Sequence, residues 1–205
     1  RKLTGNIHQS GTHLLSVVDD LLDLSRLDAG NREFSPASVA VRAEIDSAVL
    51  TLATIADKKR IIITNTCDPD LEWMVDQRAF KQIIINLVNN AVKFSPVDSN
   101  VRIDVTTTPD AMSLHIRDEG PGIAKEDQER ILMPFGRTEE ANNNKIDGVG
   151  LGLTIVSELV KLQGGKIVIN SEKGKGATFT AVFPSVDQIA HSEVPMRGST
   201  PTGTK

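Results

Sequence analysis

Aromatic side chains are nearly missing from this 205-residue chain: they make up 3% of it, with no tyrosine and one tryptophan. The core must therefore be aliphatic, packed by Leu, Ile and Val. Trp73 stands in no aromatic pattern and is expected to pack under a sheet edge rather than stack on a ligand. Cysteine occurs once, at Cys67, which excludes an internal disulfide framework or a cysteine-based zinc site and fits a reducing compartment. Cys67 itself reads as a small buried or half-buried hydrophobe. Charge of one sign is lacking too: 23 basic residues face 27 acidic ones, a formal net charge of -4, so no polybasic surface points to nucleic acid or anionic lipid. No apolar run approaches membrane-spanning length and no secretory leader is visible. The chain opens Arg1-Lys2 without Met, so it reads as a piece of a longer protein, cytoplasmic here, with the full-length protein free to be membrane-bound. The phosphate-binding loop G-x-x-x-x-G-K-[ST] is also absent.

What is present centres on residues 82–94, Q-I-I-I-N-L-V-N-N-A-V-K-F. Ile83, Ile84, Leu87, Val88, Ala91 and Val92 recur at three- and four-residue steps, the mark of a helix with one buried face. Asn86, Asn90 and Lys93 follow the same step on another face. Asn competes for backbone hydrogen bonds and is a mediocre helix former, so this stripe does not serve helix stability. Two amide oxygens and an ammonium on a rigid element suit a hydrated divalent cation and the phosphates it bridges. On this segment alone, a solvated polar face is an equal alternative.

Three glycine-bearing stretches follow. Asp118-Glu119-Gly120-Pro121-Gly122-Ile123 ends an alternating, strand-like run; Gly148-Val149-Gly150-Leu151-Gly152-Leu153 opens an apolar helix; Gly174-Lys175-Gly176-Ala177-Thr178-Phe179 lies between two strand-like runs. In this order and spacing, the chain resembles the ATP-binding catalytic domain of sensor histidine kinases, in the superfamily of DNA gyrase, the large heat-shock chaperone and the mismatch-repair ATPases. The asparagine helix resembles that family's N-box, the glycine stretches its Gly boxes, and Phe135 in I-L-M-P-F-G-R its F-box.

The resemblance implies an α+β fold, the two-layer α/β sandwich of the Bergerat ATP-binding type, with a mixed, largely antiparallel sheet on one side and three helices on the other, preceded by one long bundle helix. It implies ATP contacts from Asn86, Asn90, Lys93 and Phe94, and from Asp118, Gly120, Gly122 and Ile123. Further contacts fall to Phe135, Arg137, Gly148, Val149, Gly150, Leu151, Gly152 and Thr178, and Mg2+ falls to Asn90 with Asn86. In the family the aspartate of the first Gly box accepts from the exocyclic amine of adenine, so Asp118 takes that role. A carboxylate there would meet the carbonyl of guanine unpaired, which selects ATP over GTP. Gly120 and Gly122 are expected to let the backbone pass close to the base. The N-terminus of the helix after Gly148–Gly152 presents free N–H groups and a positive dipole end to phosphate.

In chain order, residues 6–29 carry Leu14, Val17, Leu21 and Leu24 at helical steps and resemble the second helix of the family's dimerisation and phosphoacceptor hairpin. Residues 1–30 are assigned to it. The H-E-x-x-x-P type motif of the phosphoacceptor histidine is absent, and neither His8 nor His13 has an adjacent acid to take a proton. Residues 31–184 form the ATP-binding domain. A helix is expected from Val41 to Lys58 with Ile45, Val49, Leu52 and Ile55 on one face, and a short charged helix from Ala124 to Leu132. Asp76 is placed to cap the asparagine helix. Residues 138–147 resemble the ATP lid, and 185–205 read as a disordered tail or linker.

The function so implied is a histidine kinase: MgATP bound here donates its γ-phosphoryl group to a histidine on the dimerisation helix of the same or the partner subunit. The implied partners are ATP, that helix, a response regulator receiver domain and a second copy in the full-length homodimer, with no nucleic acid. An ATPase switch is the rival reading. Those relatives carry a water-activating glutamate at the position matching Asn86, which cannot take a proton. An ATP-binding scaffold without transfer activity is the third.

Overall fold

A computed structural model describes residues 34–138 and 149–185, with the isolated positions Gly11, Val18, Leu21 and Leu22, all four helical. The rest of the expected bundle helix, His8, His13, most of the expected lid and the tail from 186 onward lie outside the described residues.

The described chain runs β1 (Ala37–Ala40), α1 (Val41–Lys58), β2 (Ile62–Asn65), β3 (Glu72–Val75), α2 (Gln77–Phe94), β4 (Asn100–Thr107), β5 (Ala111–Asp118), α3 (Gly152–Leu162), β6 (Lys166–Ser171) and β7 (Ala177–Pro184). Five strands form one sheet in the order β2-β4-β5-β7-β6. Only β2 and β4 pair in parallel; the other neighbours are antiparallel. The three helices cover one face, giving the two-layer α+β sandwich. β1 and β3 stand apart as a two-stranded antiparallel sheet, with Val39 opposite Trp73. None of the described helices is long and apolar enough to cross a membrane.

Alternation along the strands separates the faces. Val101 and Ile103 of β4, Met112, Leu114 and Ile116 of β5, and Phe179, Ala181 and Phe183 of β7 are buried against the helices. Phe183 meets Phe80 of α2 edge to face, centroids 5.4 Å apart. The opposite face is largely polar: His115 bridges the hydroxyls of Thr106 and Thr180 across three strands, 2.9 Å to each. Cys67 is buried and unbridged.

Two expectations are corrected. The segment 124–132 is not one helix but two 3₁₀ turns, Lys125–Asp127 and Arg130–Leu132, of which only Ile131 is buried. One apolar anchor cannot support the costly nucleus of a longer helix. On α1 the buried stripe is Val41, Ile45, Ala48, Leu52 and Ala56, while Ile55 is 45% exposed, because the run of four-residue steps carries the stripe to Ala56.

The start of α2 is fixed by two buried polar residues. Asp76 Oδ1 accepts from Ala79 N at 2.9 Å, and Asp76 N donates to Gln163 Oε1 at 3.0 Å. Gln163, 2% exposed, also donates to the carbonyl of Leu159 at 3.2 Å, tying the end of α3 to the beginning of α2. Asp76→Ala removes the cap and should lower stability by about 1 to 2 kcal/mol, read as a lower urea midpoint with an unchanged slope.

Candidate nucleotide site

Asn86, Asn90 and Lys93 are half-buried along α2, on the flank not filled by Ile83, Ile84, Leu87 and Val88. The N-terminus of α3 comes against this stripe. A methyl group on Gly152 would sit 3.9 Å from Asn90 Nδ2 and 4.0 Å from Asn86 Oδ1, so the glycine leaves α3 close to both amides. No side chain caps α3, and its first turn carries N–H groups without intrahelical partners. Beside it, Asn86 Nδ2 is buried with no hydrogen-bond partner, as is Thr154 Oγ1 of that first turn. A buried donor left unpaired costs about 1 to 3 kcal/mol, and an anion seated at the helix end would relieve that cost. The donor set fits a phosphate chain, and the amide oxygens of Asn86 and Asn90 fit the oxygen ligation of Mg2+.

At the C-terminal end of α2, beyond Asn90, lies Asp118, 5% exposed at the last position of β5. Its Oδ1 accepts two backbone bonds, from Gly120 N at 2.8 Å and from Ala177 N at 3.2 Å. Both donors engage the same oxygen, so Oδ2 is the atom left for a ligand donor. Burial raises the pKa of Asp118, opposed by the bonds from Gly120 and Ala177. A Cβ on Gly120 would stand 3.2 Å from the Phe94 carbonyl, which packs the aspartate loop onto the last turn of α2. Lys93 Nζ lies 5.1 Å from the centre of the Phe94 ring on that turn.

The aspartate loop is also stapled to the β6–β7 hairpin. Ile123 N donates to Ser171 Oγ at 2.8 Å, Ser171 Oγ donates to the Gly176 carbonyl at 2.7 Å, and Gln128 Nε2 reaches the carbonyls of Ser171 and Ile123 at 3.0 and 3.3 Å. Gly122 has a φ of 70°, and a Cβ there would be 2.0 Å from the Glu172 carbonyl oxygen. The structure thus shows that this docking onto the hairpin requires glycine at 122.

Beyond the 3₁₀ turns, Phe135 is 58% exposed with a φ of 62°. A Cβ on Gly150 would be 2.9 Å from the Gly136 carbonyl and 3.2 Å from Arg137 Cγ, so Phe135, Arg137 and Gly150 converge from the two sides of residues 139–148. Val149 packs on the core and Leu151 is buried. Gly148 lies outside the described residues.

The structure brings together Asn86, Asn90 and Gly152, then Phe94, Asp118 and Gly120, then Phe135, Arg137 and Gly150. It does not bring Thr178 to them. Thr178 pairs with Arg117 and shares the polar face with Thr180, while Ala177, its neighbour, pairs with Asp118. Sequence reasoning missed Ala177, Gln128 and Ser171. The first was visible in the alternation of Ala177, Phe179, Ala181 and Phe183; the others have partners some 40 or more residues away.

Residues 75–187 match the family described as histidine kinase-, DNA gyrase B-, and HSP90-like ATPase. An uncharacterized sensor-like histidine kinase of Rhizobium meliloti (strain 1021) is 36% identical over 186 residues, 90% of this chain and 35% of that protein. Histidine protein kinase DivJ of Caulobacter vibrioides is 34% identical over 197 residues, 96% of this chain and 32% of that one. The chain thus spans about a third of the length of these curated relatives. Among solved structures, full-length ShkA in complex with AMPPNP aligns with a TM-score of 0.78 at 32% identity, over 90% of this chain and 38% of that one. The histidine kinase AdeS of Acinetobacter baumannii, at 22% identity and a TM-score of 0.77 over 91% of this chain and 85% of that one, shares the fold. The family match covers more than half of the residues and includes both ends of the site, so the chain belongs to the histidine kinase-, DNA gyrase B- and HSP90-like ATPase family, as the ATP-binding domain of a sensor histidine kinase.

Proposed function

We propose that the chain binds MgATP and donates its γ-phosphoryl group to a histidine on the dimerisation helix of a two-component sensor kinase, from which a receiver domain takes it. The observation that carries this is the unpaired Asn86 Nδ2 beside the uncapped start of α3. The complex of the ShkA relative with AMPPNP, a triphosphate of adenosine with an imido bridge, supports the same ligand class.

Each end of the site has a separate task. Asp118 Oδ2 accepts from the adenine amine. The α3 N-terminus and Asn86 Nδ2 donate to phosphate oxygens. Asn90, with Asn86, would hold Mg2+, which would supply neutralisation of the phosphate charge. In the transfer, an imidazole nitrogen of the acceptor bonds to the γ-phosphorus as the bond to the β–γ bridging oxygen breaks and ADP leaves. Such a step needs positioning and charge neutralisation rather than covalent help from the protein. Asn86 and Asn90 are amides without a basic site, so activation of water is weak and hydrolysis slow.

Incubation with γ-labelled ATP tests this. The chain alone should remain unlabelled, and a separate bundle fragment bearing an acceptor histidine should acquire acid-labile label, slowly because the covalent link that raises effective concentration is missing. Label on this chain that disappears in His8→Ala or His13→Ala would reverse the assignment of those histidines. Rapid release of free phosphate would favour the ATPase reading.

A further inference from the structure

The last turn of α2 is held from behind by a residue that nothing in the nucleotide motifs includes. Lys59, just past the end of α1, donates from Nζ to the carbonyls of Val92, Lys93 and Ser95 at 3.0, 2.6 and 3.0 Å. Carbonyls at a helix C-terminus lack intrahelical donors, and an ammonium offers three donors and the sign of charge that this dipole end favours. All three of its donors are used here.

The backbone around Lys59 closes the same clasp. Asp98 N donates to the Lys59 carbonyl and Ile62 N to the Ser99 carbonyl, each at 3.0 Å. Arg60 and Asp98, both left-handed with φ of 52° and 61°, face one another as an ion pair, Nη2 to Oδ2 at 2.6 Å. The ion pair is exposed and contributes little by itself. The ammonium is different, because it binds the backbone of the turn that carries Lys93 and Phe94.

Within residues 92–95, the Phe94 carbonyl is the one that Lys59 leaves alone, and it faces Gly120 of the aspartate loop. The turn is therefore gripped by Lys59 on one side and by the Asp118–Gly120 loop on the other, with the Lys93 side chain starting between them. We infer that Lys59 is a positioning residue for nucleotide binding: its ammonium fixes the last turn of α2, and through it Lys93 and the seam between Phe94 and Gly120. This rests on the nucleotide reading above.

The test is calorimetric titration of MgATP into the unaltered chain, Lys59→Met, Lys59→Arg and Val105→Ala, each with its thermal melt recorded, at a temperature where all are folded. Val105 is half-buried on β4 opposite Leu114, away from the Asp118 end of the sheet, and supplies a loss of stability without contact to the clasp. Lys59→Met should bind MgATP at least tenfold more weakly, Lys59→Arg should recover most of that loss, and Val105→Ala should stay within twofold of the unaltered chain. Affinity of Lys59→Met within twofold of the unaltered chain overturns the inference, and so does an equal loss in Val105→Ala. Should Lys59→Met not fold, Lys59→Gln, which is uncharged and one atom too short to take the place of the ammonium among the three carbonyls, is held to the same limits. An unaltered chain that does not bind MgATP overturns the nucleotide reading itself, a result distinct from intact binding that ignores Lys59.

Discussion

Asp118→Asn should weaken ATP binding by about 1 to 3 kcal/mol, roughly 5- to 150-fold in Kd, while narrowing or reversing the preference for ATP over GTP. The reason lies in which oxygen is already used. Gly120 N and Ala177 N both donate to Oδ1, so an asparagine must put its own oxygen there. Its NH2 then occupies the place of Oδ2, donor against the adenine amine but matched to the guanine carbonyl. The same substitution should not harm the fold. Burial raises the pKa of Asp118, so the folded chain holds a proton there over a range of pH in which the unfolded chain has released it. Ionisation of this group therefore works against folding as pH rises through that range, and the cost stands in full above the folded pKa. Asparagine removes it and keeps the two backbone bonds. Thermal melts at neutral pH should show Asp118→Asn at least as stable as the unaltered chain, with a flatter acid-side dependence, while titrations with ATP and GTP show the exchange of preference. Equal affinities for ATP and GTP in the unaltered chain would remove Asp118 from base recognition.

That pairing of roles separates what was legible in the sequence from what was not. Helix α2 was legible because its apolar period and its Asn86–Asn90–Lys93 stripe are local, and so was the cap at Asp76, one residue before the helix. The order of the glycine stretches carried the family. Within them, membership of a motif was a poor guide to individual side chains: Thr178 belongs to the third stretch, yet strand alternation turns it to the polar face and gives Asp118 to Ala177. Gly122 stood out as an unusual position, but its close contact with Glu172 on the hairpin could not be read from the local sequence. Lys59 was invisible for the same reason, since its partners are backbone carbonyls 33 to 36 residues away that leave no mark on composition or period.

Asn90→Ala should abolish the Mg2+-dependent part of ATP affinity and leave the fold intact. Asn90 is half-buried on the flank of α2 that faces Gly152, and alanine is the better helix former, so the substitution gives up little packing and gains some propensity. The loss should appear in ligand binding alone. Mg2+ takes oxygen ligands at close to octahedral geometry and keeps several waters, so one amide oxygen from the protein with phosphate oxygens and water completes a plausible set, and removing that amide breaks the link between cation and helix. Loss of an outer partner of a metal ligand already costs roughly 10- to 100-fold in affinity; loss of the ligand itself should cost no less. ATP titrations with Mg2+ and with chelator should therefore differ in the unaltered chain and coincide in Asn90→Ala, whose melting temperature in the absence of nucleotide stays at or above that of the unaltered chain. If the difference survives in Asn90→Ala and vanishes in Asn86→Ala, the cation belongs to Asn86. That outcome would move the metal one helical turn toward the N-terminus of α2, beside the buried amide nitrogen that lacks a partner.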